Sequence, residues 1–419
     1  MDLRYERRAW TLVYLCLGMI EGGTAAVMVR SLFHGSVRGL AVDLVVGLVS
    51  SAPAWANLAS LAFARRAQGR RKVAFLQPLL VALAMCVAAL ALVPGGGTGL
   101  LAFLLLYGSA RVLWAGVDTV RSVIWSANYP RHLRARITGR IMINGSLAVA
   151  AVGLSVGWLL GQGGHAYRFA IVAAACAGLA GARAFRRFRV RGEASLLDAE
   201  QARLGQGARF DLAGIRELLA RDAGFRRYMY AMSLFGAGLL TLPPLMVICL
   251  GDVLGLSAFL QVAVTTSLPI LVIPLAIQPW ARFLDRHHVV VFRSVHGWVG
   301  TCAALLLVSA VLLDAPALLW PGAVLFGTSL AAGSLGWALG HNDFAPRGEE
   351  TRYMALHVTL TGIRGLLAPP LGIGLYHGLE HWRPGSGAWA LLVPLALIAA
   401  GAREFTAMRR LGDVRRPQA

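Results

Sequence analysis

The chain of 419 residues is 57% hydrophobic and only 14% charged, and its mean hydropathy is +0.63. A soluble protein carries roughly 25% charged residues, so the composition excludes an ordinary soluble domain and indicates lipid as the main solvent. The net charge of +20 would suggest nucleic acid on a soluble protein. Here the basic residues lie between apolar runs, so we expect no nucleic acid and a positive-inside membrane topology.

The first apolar run, residues 9–29, follows basic residues as the core of a signal peptide would. It is long for a signal peptide, it contains Glu21, and no clear small-residue cleavage site ends it. These features predict an uncleaved first membrane span.

Runs of about 20 apolar residues, the length of a membrane-spanning helix, occur twelve times along the chain. In the first half they cover residues 9–29, 40–63, 73–93, 100–120, 141–160 and 167–184. In the second half they cover residues 228–250, 256–280, 289–313, 316–339, 353–375 and 387–405. We therefore expect an all-α polytopic membrane protein with 12 transmembrane helices.

A basic polar segment, residues 183–227, carries 11 arginines and separates two similar hydrophobic halves. Two repeats joined by one loop are typical of secondary transporters. We expect a six-helix bundle at 1–182, a cytoplasmic loop at 183–227, and a second six-helix bundle with a cytoplasmic tail at 228–419. Within the loop, Asp211–Arg221 has the periodicity of an amphipathic helix, which either lies on the inner leaflet or belongs to a flexible linker.

The distribution of arginine and lysine predicts the orientation of the chain. With the N-terminus in the cytoplasm, the inward segments hold 34 of the 40 basic residues, the outward segments hold four, and two lie inside spans. This bias predicts that both termini and the central loop are cytoplasmic. We expect a monomer in the lipid bilayer of the bacterial inner membrane.

The five cysteines lie inside apolar runs, no two are close in sequence, and their number is odd. This excludes a disulfide framework and a Cys-x-x-Cys metal site. The chain also lacks the H-E-x-x-H, G-x-S-x-G and P-loop patterns. We expect no metal, no cofactor and no ATP-driven pump within this chain.

Two short segments carry a family resemblance. After the eighth run the chain reads Ala281-Arg-Phe-Leu-Asp285-Arg286-His-His288, and the equivalent segment of the first half ends in Gly69-Arg70-Arg71-Lys72. Both resemble the G-x-L-x-D-R-x-G-R-R-K loop of the major facilitator superfamily, and both fall between the second and third spans of their half. The first copy has Arg66 at the aspartate position, and the second has lost the glycine and the following basic residues.

Three spans carry further partial matches to the same family. In the fourth span, Arg111 resembles the arginine of L-x-x-x-R-x-x-Q-G, with Trp114 in place of the glutamine. The fifth span, at Gly153–Gly161, resembles the antiporter motif G-x3-G-P-x2-G-G without its proline. Residues 365–374 of the eleventh span are a loose counterpart in the other half.

The resemblance implies two six-helix bundles around a central cavity, lined by the first and fourth helices of each half, and alternating access by rocking of the bundles. It implies that Asp285 holds the bundles together in the outward-facing state. The gating residues it implies are Asp285, Arg286, Gly69, Arg70 and Arg71.

Charged residues inside spans cost about 2.5–3.5 kcal/mol each on insertion scales, so they face protein or water and often mark function. Glu21, Arg111 and Arg364 lie near the middle of the first, fourth and eleventh spans. We interpret them as candidate site residues, with structural pairing as the alternative. Asp118 and Arg121 lie closer to the cytoplasmic end and indicate a network at an inner gate.

Asp43 lies close to the outer end of its span, so we expect it at the membrane interface. His296, His341 and His357 invite a proton relay, but a single histidine in a helix is more often a hydrogen-bonded packing residue. We therefore expect packing roles for these three histidines.

Glu21 is the first candidate for proton coupling, because burial favours the protonated carboxylic acid and a nearby arginine favours the carboxylate. Arg111 matches the family arginine associated with coupling. Arg364 would then attract a carboxylate or phosphate on the substrate, which predicts an anionic or zwitterionic small molecule.

These features favour a proton- or ion-coupled secondary transporter rather than an enzyme. One alternative is a receptor or assembly factor that keeps the transporter fold without transport, which the incomplete loop motifs leave open. The other is an intramembrane lipid-modifying enzyme, for which the sequence shows no nucleophile, base or metal cluster at membrane depth.

Overall fold

The computed structural model describes residues 3–202, 212–346 and 349–411. This part of the chain contains twelve membrane-spanning segments when one bent helix pair is counted as a single span, and we number them spans 1 to 12. The first six are Leu3–Phe33, the pair Gly39–Ser50 and Ala52–Ala67, Lys72–Leu90, Gly96–Asn128, Ile137–Gly161 and Ala166–Arg187. The last six are Ala223–Asp252, Ala258–Arg286, Val289–Leu312, Pro316–Asp343, Arg352–Trp382 and Gly387–Arg410. The predicted helical fold is confirmed.

Each apolar run forms a helix because lipid offers the backbone no hydrogen bonds, so every N–H and C=O must pair within its own segment. Several helices continue past the apolar run on the side that carries the central segment, which we call the loop face; the other side is the opposite face. Residues 281–286, expected in a loop, form the last turns of the helix Leu268–Arg286. The placement of Asp285 and Arg286 in a loop was therefore wrong.

Span 2 bends by 54° between its two helices. Pro53 lies just beyond the bend, and because proline has no N–H, the carbonyl of Val49 loses its helical donor. The hydroxyl of Tyr107 in span 4 donates to this carbonyl at 2.8 Å. The neighbouring span thus satisfies the backbone group that the bend leaves free.

Each half has its own cluster of buried apolar side chains. Trp10, Phe103 and Tyr107 are almost fully buried in the first, and Phe235 and Phe405 are almost fully buried in the second. The exact boundaries proposed for the two bundles, at residues 182/183 and 227/228, remain predictions.

The two bundles contact each other through span 5 on span 8 and span 2 on span 11, and glycines allow the close approach. A Cβ atom at Gly157 would lie 3.0 Å from the Cα atom of Phe259, and one at Gly365 would lie 2.8 Å from the Cβ atom of Ala54. Both distances are shorter than an ordinary van der Waals contact. Two of the glycine motifs in the sequence therefore lie where the bundles meet.

The central segment contributes the helix Leu212–Arg221, which matches the predicted amphipathic helix. Leu218 is fully buried in the core of the second bundle, and Arg221 forms a 2.5 Å ion pair with Glu349. These contacts favour a helix docked on the second bundle over a flexible linker. The expected N-cap, Asp211, lies outside the described residues.

On the opposite face, one arginine connects the two bundles. Arg30 of span 1 pairs through Nε with Asp43 Oδ1 at 3.0 Å and through Nη2 with Asp252 Oδ2 at 2.6 Å. Its Nη1 donates to the carbonyl of Ile248 at 3.0 Å. Since Asp252 and Ile248 belong to span 7, all three nitrogens of one guanidinium are used and two of them bind the other bundle.

Span 11 completes this arrangement. His377 Nε2 lies 2.9 Å from Asp43 Oδ2, and the hydroxyl of Tyr376 donates to Asp252 Oδ2 at 3.2 Å. We call Arg30, Asp43, Asp252, Tyr376 and His377 the Arg30 network. Asp43 is only 2% exposed, so it is buried between the bundles, where Arg30 balances its charge. Its expected depth at the membrane interface stays a prediction.

We predict that the Arg30 network keeps the opposite face closed. Asp252→Asn removes one charge of a partly exposed pair, a loss of about 1 kcal/mol that shifts the equilibrium towards opening about fivefold. Spin labels on cysteines introduced at Arg38 and Val253, in a chain without native cysteines, should show a larger fraction of long distances. Asp314→Asn, an exposed carboxylate between spans 9 and 10, is the matched control. An unchanged distance distribution in both Asp252→Asn and Arg30→Gln would contradict the prediction.

Candidate functional site

Glu21 lies at a break in span 1. The helix Leu3–Met19 ends before it and the helix Gly22–Phe33 begins after it, with Glu21 in an extended conformation at φ −68° and ψ 134°. The break leaves the carbonyl of Ile20 outside the regular helical pattern, and Arg111 Nη1 of span 4 donates to it at 3.3 Å. Non-helical backbone at membrane depth is tolerated where other groups satisfy it, as this arginine does.

The same arginine faces the Glu21 carboxylate. Arg111 Nη1 and Glu21 Oε2 are 3.7 Å apart, and the exposed fractions of the two side chains are 6% and 28%. Arg111 is therefore enclosed by the protein, while the side chain of Glu21 is partly exposed. Two of the three charged residues singled out within spans thus lie together, and the acid is the accessible member of the pair.

Hydroxyl groups surround this break, and the sequence analysis did not identify them. Gly23 lies directly against Thr266 of span 8, within the π-helical turn Ala263–Ser267. Thr24 is fully buried, and its Oγ1 has no hydrogen-bond partner in the described part of the chain. A π-turn is frequent at functional sites, and the Thr-Thr-Ser run at 265–267 is the sequence signal that could have pointed to it.

Arg364 does not join the Glu21–Arg111 pair. It donates through Nη1 to the carbonyl of Met232 in span 7 and through Nη2 to Thr361 Oγ1 at 2.7 Å. Its Nε is buried without a hydrogen-bond partner among the described residues. It is a half-buried cation with no carboxylate beside it in that part of the structure, and it lies in the second bundle.

In the first half, the resemblance loop is bound by the central segment. Gly69, in the left-handed conformation at φ +68°, donates its N–H to Glu200 Oε2 at 2.8 Å. Lys72 is 2% exposed and pairs with the same carboxylate at 2.6 Å, and Arg71 pairs with Glu193 at 3.1 Å. The helix Glu193–Gln201 of the central segment therefore binds this loop of the first bundle.

The remaining candidate gating residues of the two segments that resemble the family motif are exposed. Arg70, Asp285 and Arg286 lie on the loop face, and the side chains of Asp285 and Arg286 make no hydrogen bond or ion pair with the described residues. In this conformation Asp285 does not hold the bundles together. Among the described residues, the Arg30 network connects the two bundles on the opposite face, whereas Asp285 does not connect them on the loop face.

Arg121 and Asp118 form an ion pair on span 4. Arg121 also donates to Tyr14 Oη at 2.6 Å, and its guanidinium lies 4.6 Å from the ring centre of Trp125, a cation–π contact. Trp114, which stands where the family motif has glutamine, faces the same guanidinium at 5.6 Å. All these partners belong to the first bundle, so the network does not cross between the bundles in this conformation.

Comparison with known proteins identifies the fold. The chain superposes on a D-xylose–proton symporter with a TM-score of 0.71 and 13% identity, covering 97% of both chains. It superposes on the nucleoside transporter NupG, as a D323A mutant, with a TM-score of 0.70 and 12% identity over 97% of this chain and 100% of that one. It also superposes on an inward-facing bacterial homologue of the human lysosomal transporter Spinster. The TM-score is 0.67 and the identity 14%, over 99% of this chain and 98% of that one. At these identities the likeness shows the shared fold.

A family model provides the assignment. A search among curated proteins finds no match, but the model of the Major Facilitator Superfamily matches residues 10–369. This match covers most of the chain, and it confirms the expectation of a secondary transporter rather than an enzyme. The chain belongs to the major facilitator superfamily.

Proposed function

We propose that this transporter couples the movement of a small anionic or zwitterionic solute to protons, with Glu21 as the proton-carrying group. The observation that carries the proposal is the Glu21–Arg111 pair at the break of span 1, in which the acid is partly exposed and the arginine is buried. A carboxylate that can reach water and also pair with a fixed cation can exist in two charge states within one site.

Protonation of Glu21 removes the negative partner of Arg111. The arginine is then left with the carbonyl of Ile20 as its acceptor, and a buried cation that loses its counter-ion becomes less stable. The protonated and ionised forms of Glu21 therefore favour different arrangements of spans 1 and 4. That difference is what a coupling site requires, because a ligand shifts a conformational equilibrium only by its differential affinity.

The surroundings of Glu21 support a polar solute. Thr24 of the first bundle and Thr266 of the second lie beside the break, and Arg364 supplies a positive charge from the second bundle. Two similar folds are described as a D-xylose–proton symporter and a nucleoside transporter, and both solutes carry several hydroxyl groups. A solute held by groups from both bundles is bound differently whenever the bundles move.

We predict that Glu21→Gln abolishes gradient-driven accumulation but preserves exchange of the solute down its own gradient, because the amide cannot carry the proton. A stabilisation screen of organic anions, sugars and organic cations first supplies a transported solute. Both modes of flux are then measured in proteoliposomes with and without a pH gradient.

Glu217→Gln is the matched control, since this glutamate is 68% exposed and pairs with Arg352 on the loop face. The control should accumulate the solute like the parent chain. Normal accumulation by Glu21→Gln would mean that Glu21 is only the structural partner of Arg111.

We also propose that the loop face is cytoplasmic, because the segments on that side carry 34 of the 40 basic residues. Topology reporters fused after Gly96, at the start of span 4, and after Gly205, in the central segment, should give opposite signals in bacterial cells. Opposite signals with Gly205 on the outside would contradict the orientation, and equal signals would contradict the three spans between the two sites.

A further inference from the structure

Among the described residues, two arginines of the second bundle are buried or half-buried within spans without an acidic partner. Arg293 in span 9 is 2% exposed, and Arg364 in span 11 is half-buried. Neither forms an ion pair with any acid in the described ranges. The hydrogen bonds that the two guanidiniums make go to uncharged partners: Tyr228 Oη at 3.4 Å, the ring of His296 at 3.0 Å, Thr361 Oγ1 and the carbonyl of Met232.

Both guanidiniums contact the same face of span 7. Arg293 reaches Tyr228, Arg364 reaches Met232, and the Arg364 guanidinium packs against Gly236, where an added Cβ would lie 3.2 Å away. Residues four apart lie above one another on a helix. The two charges are therefore held in neighbouring layers of one bundle.

His357 in span 11 lies near both arginines. It is fully buried, and neither of its ring nitrogens has a hydrogen-bond partner among the described residues. It lies seven residues, or about two turns, before Arg364, and both arginines are within electrostatic range of it. Trp337 packs edge-on against its ring at 6.1 Å.

Four buried polar atoms of these three side chains have no partner in the described structure: Arg293 Nη2, Arg364 Nε, and Nδ1 and Nε2 of His357. Buried polar groups are normally paired, so several orphaned atoms in one cluster require an explanation. All four sit on two cations and one histidine in neighbouring layers of the bundle. The orphaned guanidinium N–H groups need an acceptor, and a negatively charged group would also balance their charge.

We propose that this cluster binds a phosphate group, and that the transported solute is a phosphorylated small molecule. A phosphomonoester carries about −1.5 to −2 charges at pH 7 and three acceptor oxygens, which matches two uncompensated arginines. Guanidinium groups bind phosphate with two parallel hydrogen bonds. A monocarboxylate would leave one of the two positive charges unbalanced. This inference rests on the proposed function, since it names the substrate class for the same transporter.

The test uses the purified full chain in neutral detergent, with inorganic phosphate and glycerol phosphate as probes at millimolar concentration. Thermal unfolding followed by tryptophan fluorescence should show saturable stabilisation by both probes, and no stabilisation by acetate at equal ionic strength. Arg364→Gln and Arg293→Gln should each weaken the apparent affinity by about tenfold or more. Arg282→Gln, an exposed arginine of the same bundle, is the matched control and should bind like the parent.

Arg364→Lys provides a second variant in case Arg293→Gln does not fold. It keeps the positive charge but cannot form the two parallel hydrogen bonds of a guanidinium group. It should bind phosphate with an affinity between those of the parent and Arg364→Gln. Equal stabilisation by acetate and phosphate, or equal phosphate affinity in Arg364→Gln and Arg282→Gln, would overturn the proposal. Stabilisation by vesicles of a phosphate-bearing lipid but not by the soluble probes would also overturn it, because the site would then hold lipid.

Separate measurements of phosphate binding and of proton-coupled flux on the parent chain distinguish this inference from the proposed function. Proton-coupled flux of an unphosphorylated solute would leave the proposed function intact and overturn the phosphate site. Phosphate binding without any proton-coupled flux would support the phosphate site and contradict the proposed function.

Discussion

The ion pairs of Arg30 determine which conformation this structure represents. One guanidinium holds two acids that belong to different bundles, so the opposite face can open only if at least one of these pairs separates. A buried charge that loses its partner is costly. The separation therefore needs compensation, such as water entering the cleft, and it also affects the pair of His377 with Asp43, which crosses between the bundles. In this structure both pairs are formed, so the two bundles are held together on the opposite face.

Much of the architecture was predictable because hydropathy is a local property. Twelve apolar runs gave twelve spans, since any segment of that length must pair its own backbone in lipid. The sequence could not show that Arg30 would bind Asp252, 222 residues away. That contact depends on how the bundles pack. For the same reason the sequence could not show that the side chains of Asp43 and Arg293 would be buried.

The candidate site was predictable in part. A charge within a span needs a partner or water, so Glu21 and Arg111 could be identified from the chain alone, and they lie 3.7 Å apart. Their depth suggested that Arg364 would join them, but depth along a span does not determine which side of the helix a residue occupies. The break at Glu21 and the π-turn of span 8 were not predicted, because both depend on contacts between helices.

The helix Glu193–Gln201 binds the loop before span 3 through Lys72, which is the single lysine of the sequence. Its ammonium group is enclosed by Glu200 and by the carbonyls of Ala67 and Arg70. Acylating reagents attack only an accessible, unprotonated amine, so they should leave this side chain unmodified while the helix stays docked. The chain thus carries a built-in chemical reporter, in which the appearance of an acylated Lys72 marks the release of the central segment from the first bundle.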